Sequence, residues 1–211
     1  MKQQMKFDEE VVVHKLAIYM FLQKFYDGQL NRIGKASWKE LIDVLTQEMT
    51  IFSNDEIGKG LQLLSQFTDE DIEELEFEFN RLFVGPNQLV VSPYESTYRN
   101  TERVIMQSET IAVRRFYEKA GLVLAKKNIN PDDHIALELE FVCYLLENSL
   151  EDETHYEFYQ EFLKAHLLHW IEAHCALILE NSENKIVKGV STILQGLIKE
   201  EKVLMEVNKD D

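Results

Sequence analysis

The sequence predicts an all-α fold, a single helical bundle that spans residues 1–211. Apolar residues recur at helical spacing along most of the chain, and no segment shows the strict alternation of a half-buried strand. Only 8 glycines and 3 prolines occur among the 211 residues, which leaves little turn-forming sequence for a many-stranded sheet. Helix-capping patterns also stand in front of several of the apolar segments.

Four helices are predicted in the first part of the chain. They span about 8–27, 37–49, 53–67 and 68–84. Gly28 ends the first one, because glycine readily adopts the left-handed conformation that closes a helix. The next two open on capping-box pairs, Ser37 with Glu40 and Ser53 with Glu56. Thr68 caps the fourth, whose first turn carries acids that the helix dipole favours.

The stretch Leu82–Tyr98 interrupts this helical pattern. Gly85-Pro86 must end the preceding helix, because proline lacks an N–H donor and crowds the residue before it, and Pro93 sets a second turn. The apolar and aromatic content of the stretch is too high for a disordered linker. We therefore predict an ordered but irregular apolar loop at about 85–100, and long ordered loops are often functional.

Four helical regions are predicted after this loop. They span about 109–120, 130–148, 152–179 with one break, and 184–207. The second has the clearest start, with Asn130 as cap, Pro131 at the first helical position and acids in the first turn. Its side chains are apolar on most sides, so we expect it to lie at the centre of the fold.

The charge of the chain narrows the classes of partner. The formal net charge is −16. This excess of acids argues against nucleic acid, because phosphates are bound by clusters of Lys and Arg. It favours a cationic partner through long-range attraction.

A cytoplasmic location is expected. The segment Val11–Leu22 is apolar, but residues 8–10 are acidic where a signal peptide needs positive charge. No run of about 18 apolar residues is present for a membrane span. Cys143 and Cys175 lie in apolar helical contexts without a CxxC pattern, which is typical of reduced cysteines.

The sequence shows no catalytic motif. Glycine loops for phosphates and the GxSxG nucleophile motif are missing, and neither cysteine has an evident activating partner. We therefore expect no enzymatic activity, no catalytic residue and no cofactor. A metal site is an alternative, since His166, His169 and Glu172 follow one another at one-turn spacing. The Glu-x-x-His pattern of di-iron helical bundles does not occur.

A polar pair, Asp133 and His134, opens the most apolar helix, and Glu138 follows one turn later. In one interpretation Asp133 only complements the helix dipole, and His134 is a capping or surface residue. In the other, the pair lies at the mouth of an apolar groove and accepts hydrogen bonds from a cationic peptide.

Taken in order, these segments resemble the TorD/DmsD/NarJ family of cytoplasmic chaperones for molybdoenzymes. The matching residues are Leu82-Phe83, Gly85-Pro86, Pro93-Tyr94-Glu95-Ser96, Tyr98, Pro131-x-Asp133-His134, Leu137-Glu138, and His166-Leu167 with Trp170. Residues 110–122 are similar to the helix between the two main motifs of the family. Ser92 stands where many members have the first of two prolines, and Thr97 stands where valine is common.

The resemblance implies a TorD-like helical fold and a chaperone without catalytic turnover. Its partner would be a molybdoenzyme precursor, bound through a twin-arginine leader peptide before cofactor insertion and export. Some members form homodimers by exchanging segments, which the resemblance makes an expectation here. The client-binding residues that it implies are Pro93, Tyr94, Ser96, Asp133 and His134.

Two other hypotheses belong to different classes of function. One is a small metal-dependent helical enzyme that uses His166, His169 and Glu172. The other is a structural helical subunit of a redox complex, which predicts a permanent partner in place of an exchangeable client.

Overall fold

The computed structural model describes residues 7–52, 54–86, 89–123 and 131–207, and within these ranges the fold is all-α. The described residues form no strand, and their single β-type pairing is an isolated antiparallel bridge between Tyr94 and His134. The α-helices of these ranges are α1 (Glu9–Tyr26), α2 (Lys35–Glu48), α3 (Asp55–Ser65), α4 (Asp69–Glu73), α5 (Leu75–Phe79), α6 (Ser96–Arg99), α7 (Ser108–Lys119), α8 (Ile135–Ser149), α9 (Thr154–Ala165), α10 (Ile171–Asn181) and α11 (Lys185–Val207).

Of the predicted caps, the one at Thr68 is confirmed. Its hydroxyl accepts a hydrogen bond from the Asp71 N–H at 3.2 Å, and the Asp71 carboxylate accepts one from the Thr68 N–H at 2.7 Å. These reciprocal bonds satisfy two backbone donors that the start of a helix leaves without partners. The prediction of one unbroken helix to residue 84 is wrong, because α4 ends at Glu73 and α5 begins at Leu75.

The capping box predicted at Ser37 does not open its helix. Because α2 already begins at Lys35, Ser37 lies inside its first turn and cannot act as a cap. Ser53 is outside the described residues. The cap of α3 is its neighbour Asn54, whose side-chain oxygen accepts from the Glu56 N–H at 2.9 Å.

Helix α8 lies at the centre of the fold, as predicted, and packs between α1 and α9. Its stripe of apolar side chains is fully buried, with Leu139 and Val142 both at 0% exposure. The predicted start at residue 130 is wrong: α8 begins at Ile135 and His134 is its cap. Pro131 instead opens a turn, in which its carbonyl accepts from the His134 N–H at 3.2 Å. Asn130 is outside the described residues.

Helices α3 and α11 pack closely because glycines face each other where they cross. A Cβ atom on Gly60 would lie 2.6 Å from the Ile193 side chain and 2.9 Å from the Gly189 carbonyl oxygen. A Cβ atom on Gly196 would likewise lie 2.8 Å from the Ile57 side chain. Side chains at these positions would force the two helices apart.

An ion pair inside the core joins α1 to α11. Lys15 Nζ lies 2.6 Å from Glu201 Oε1, and both side chains are 1% exposed. The Tyr159 hydroxyl donates to the same carboxylate oxygen at 2.7 Å. Removing either partner would leave an uncompensated charge in apolar surroundings, which is strongly destabilising.

A π-helical segment, Asn80–Val84, follows α5 and leads into the predicted loop. The Gly85 N–H donates to the Asn80 carbonyl at 2.9 Å, which closes one wide turn. The chain then folds back, so that the Val91 N–H donates to the Leu82 carbonyl at 3.0 Å. Of the predicted irregular loop at 85–100, the described residues 85–86 and 89–95 lie outside the helices, whereas the short helix α6 occupies most of its last part.

Buried apolar side chains of α1–α3, α5 and α7–α11 form the hydrophobic core, and Val91 of the loop is part of it. None of the described helices is both long enough and apolar enough to cross a bilayer.

Candidate functional site

The loop and the start of α8 meet and pair through their backbones. The Ile135 N–H donates to the Pro93 carbonyl at 2.8 Å, and the Glu95 N–H donates to the Asp133 carbonyl at 3.0 Å. Between these two bonds lies the bridge of Tyr94 with His134. The structure therefore brings the five residues of the predicted client-binding site into one place, although two separate segments supply them.

Asp133 is buried beneath this junction and its carboxylate is already occupied. The side chain is 0% exposed. One oxygen accepts from the Ser96 N–H at 2.9 Å, and the other accepts from the Thr110 hydroxyl at 2.7 Å. The prediction of a carboxylate in the first helical turn needs correction, because Asp133 precedes the cap of α8. In this arrangement Asp133 holds α6 and α7 against the start of α8 and presents no free oxygen at the surface.

Helix α7 fastens the turn before α8 with one face. Thr110, Arg114 and Tyr117 share this face at helical spacing. Arg114 Nη2 donates to the Asp132 carboxylate at 2.7 Å, and the Tyr117 hydroxyl donates to the Asp132 carbonyl at 3.0 Å. Three side chains of one helix thus hold the turn that carries Asp133.

The rings of Tyr94 and His134 form the accessible part of the junction. Both are partly buried, and they meet edge to face with centroids 5.2 Å apart. The Ala136 N–H donates to His134 Nδ1 at 3.2 Å, so the proton of the neutral ring is on Nε2. Burial lowers the pKa of His134 to about 4, against the opposing effect of Asp133 and Asp27. The ring is therefore neutral at physiological pH.

Asp27 supplies an exposed carboxylate near this pair, and sequence reasoning missed it. It caps the C-terminal end of α1, where the last carbonyls of the helix add partial negative charge. Its negative charge acts to raise the pKa of His134, against the larger effect of burial. No local pattern links residues so far apart in the chain, so the sequence carried no signal for this neighbour.

A second buried carboxylate, Glu95, lies behind the loop. Its side chain is 0% exposed and is shared between two partners. His166 Nδ1 lies 2.8 Å from one oxygen, and Arg99 Nη1 donates to the other at 2.5 Å. Arg99 also donates to the Ala165 carbonyl at 2.8 Å, which ties α6 to the end of α9.

Glu138 is a third buried acid at this place. Trp170 Nε1 donates to one of its oxygens at 3.4 Å, and the described residues offer no hydrogen-bond partner to the other. Burial raises the pKa of Glu138 well above its usual range, and the neighbouring Glu95 and Asp133 raise it further. Its carboxyl group therefore favours the protonated form.

The alternative metal site is not supported. His166 is occupied by Glu95, Glu172 pairs with Lys202 at 2.5 Å, and His169 is exposed. In the part of the chain that the structure describes, no group of three or more His, Cys, Asp or Glu side chains is placed to bind a metal ion.

Comparison with known proteins places these features in context. Residues 35–176 match the family model described as nitrate reductase delta subunit. A protein named probable Tat proofreading chaperone DmsD, from Haemophilus influenzae, is 33% identical over 114 residues, which cover 54% of this chain and 48% of the relative. The chaperone protein TorD of Vibrio cholerae is 23% identical over 163 residues, covering 73% of this chain and 72% of the relative.

The match to a Salmonella typhi Tat proofreading chaperone DmsD covers 50% of that protein, so the alignments span about half the length of several relatives. Among solved structures, one from Archaeoglobus fulgidus, described as a redox enzyme maturation protein, superposes with a TM-score of 0.53 at 19% identity. The superposition covers 93% of this chain and 99% of that one, which supports the same all-α fold over nearly the whole chain.

Proposed function

We propose that this chain, which belongs to the nitrate reductase delta subunit family, is a chaperone that binds the twin-arginine leader peptide of a molybdoenzyme precursor. It would act in the cytoplasm, before cofactor insertion and export, and without catalytic turnover. Its relatives named Tat proofreading chaperones support this assignment. Homodimers formed by segment exchange belong to the same proposal.

The observation that carries the proposal is the Tyr94–His134 pair on a firmly held loop. Tyr94 offers an apolar ring with a polar tip, which suits an extended peptide that has both apolar side chains and a polar backbone. The Nε2–H group of His134 is a donor that suits a peptide carbonyl. Because backbone bonds on both sides of Tyr94 hold it against the start of α8, little ordering cost opposes binding at this position.

The cationic part of the leader would meet Asp27 and the C-terminal end of α1. A carboxylate in water contributes at most about 1 kcal/mol to such a contact, and a desolvated bidentate pair contributes more. The net charge of −16 would speed the encounter with a cationic peptide. Pro93, Ser96 and Asp133 would serve the site by holding its backbone, since their bonds to α8 and α6 are already formed.

Calorimetric titration of a synthetic twin-arginine leader peptide tests the proposal. Tyr94→Ala is expected to weaken binding about thirtyfold, because loss of an aromatic anchor commonly costs ~2 kcal/mol. Phe77→Ala is the matched control, since Phe77 is an aromatic with 71% exposure on α5, outside the loop. Equal affinity of wild type and Tyr94→Ala would refute the proposed contact. A wild type that binds no leader peptide would refute the function.

The same titration at two salt concentrations distinguishes the role of Asp27 from that of Asp133. Asp27→Asn is expected to weaken binding and to reduce its salt dependence with little change in Tm, because this carboxylate is exposed. Asp133→Asn is expected mainly to lower Tm, because it weakens two buried hydrogen bonds. If Asp133→Asn weakened binding and reduced its salt dependence while Asp27→Asn did not, the leader peptide would be shown to reach Asp133.

A further inference from the structure

His174 of α10 contacts two positions of the loop, Ser92 and Tyr98, from inside the core. Its side chain is 0% exposed. Nδ1 lies 3.1 Å from the Ser92 carbonyl oxygen and 3.0 Å from the Tyr98 hydroxyl. Nε2 lies 3.1 Å from the Tyr26 hydroxyl at the end of α1. A single imidazole therefore links α1, α10 and two positions of the loop.

Hydrogen-bond chemistry determines which nitrogen of this ring carries the proton. A carbonyl oxygen accepts and never donates, so the Ser92 carbonyl requires a proton on Nδ1. The Tyr98 hydroxyl donates its own proton to the Ser92 carbonyl at 2.7 Å, and its oxygen can accept from Nδ1. Nε2 is then bare and accepts from Tyr26. Every polar atom of the ring has a partner, and burial keeps it neutral by lowering its pKa to about 3.

The Ser92 carbonyl is close to the candidate site in the chain. The Tyr94 N–H approaches the Ser92 hydroxyl at 3.4 Å, and Pro93 lies between them. The α8 side of the loop is held by the bonds of Pro93 and Glu95. On the core side, His174 and Tyr98 both donate to the Ser92 carbonyl, so the start and the end of the segment Ser92–Tyr98 are hydrogen-bonded to each other.

We infer that His174 is a positioning residue, which holds the segment Ser92–Tyr98 in the conformation that presents Tyr94 to a client peptide. This role rests on the proposed function for its purpose, but its geometric part can be tested without any peptide. His174 acts through the loop and does not reach the surface itself.

Three variants separate positioning from simple core stability. His174→Phe keeps the ring, which stacks on Phe83, but removes both ring nitrogens and with them all three hydrogen-bonding contacts of the side chain. His174→Asn keeps a donor near the place of Nδ1 and loses the acceptor for Tyr26. Tyr26→Phe removes only the bond to Nε2, so it perturbs the same buried histidine while the Ser92 carbonyl stays held.

The first measurement is amide hydrogen exchange without peptide. In His174→Phe, the amides of Glu95, Ser96 and Tyr98 are expected to exchange about tenfold faster than in wild type, the effect of about 1.4 kcal/mol. Amides of α11 provide the reference for global stability. His174→Asn should restore slow exchange in the loop, and Tyr26→Phe should leave it slow.

The second measurement is affinity for the leader peptide at a temperature where all variants are folded. His174→Phe is expected to bind about tenfold more weakly, and both His174→Asn and Tyr26→Phe should bind within about threefold of wild type. Unchanged loop exchange in His174→Phe, or a rise shared equally by α11, would overturn the inference. If wild type binds no peptide, the proposed function fails, and the exchange data alone decide whether His174 positions the loop.

Discussion

The neutral state of His134 predicts a specific dependence of stability on pH. Its Nδ1 accepts the capping bond from Ala136, so protonation at this nitrogen would remove the cap of α8. The perturbation that isolates this effect is His134→Asn. Asparagine is among the best N-cap residues and does not titrate, so the variant keeps the cap without the proton linkage.

The magnitude follows from the pKa of His134, which burial lowers to about 4 from the ordinary 6.5. Because the folded pKa is depressed, the unfolded chain takes up a proton first as the pH falls. Stability is thus present above pH 6.5 and is lost progressively towards pH 4. At pH 5 the loss is about 2 kcal/mol, and at pH 7.5 it is near zero.

The assay is urea unfolding of wild type and His134→Asn at pH 7.5 and pH 5. All other titrating groups are common to both proteins, so their effects cancel in the difference between the two free energies of unfolding. We expect this difference to change by about 2 kcal/mol in favour of the variant at the lower pH. A change below about 0.5 kcal/mol would refute the reasoning, because His134 would then bind protons as easily when folded as when unfolded.

Two further predictions concern the interior. Glu138→Gln should raise Tm at pH 8. The pKa of Glu138 is raised in the folded protein, so the unfolded chain releases this proton more readily as the pH rises above 4.5, and wild type loses stability. The gain in Tm should vanish when melting is repeated near pH 4.5. Gly60→Ala should cost about 1–3 kcal/mol in urea unfolding, because its Cβ would meet Ile193 and a backbone carbonyl. The control Gly58→Ala, with nothing within 4 Å, should gain up to about 1 kcal/mol. Equal effects of the two alanines would contradict the close crossing.

The features that sequence could predict are those that local chemistry decides. Thr68 caps its helix as predicted, and its partner in the reciprocal bonds, Asp71, is only three residues away. The apolar stripe of α8 placed this helix at the centre, because burial of such a surface is favourable wherever it lies along the chain. The resemblance to a family also identified two segments whose residues the structure brings together.

The features that sequence could not predict depend on distant partners. Asn130 and Pro131 form a good helix start, but α8 begins later because the residues before Ile135 are engaged with the loop. Nothing local identifies Thr110 as a partner of Asp133, and so the burial of that carboxylate was missed. The electrostatic effect of Asp27 on His134 likewise depends on the packing of α1 against α8.

The π-helical segment Asn80–Val84 has a consequence for insertions and deletions. Its turn holds one residue more than an α-turn. The wide turn absorbs this extra residue, so deleting one residue within the segment would return it to α-helical spacing and leave the outgoing chain close to its present direction. In a regular α-helix the same deletion would rotate everything beyond it by about 100° around the helix axis. We therefore expect this segment to tolerate the loss of one residue better than the regular helices of the fold do.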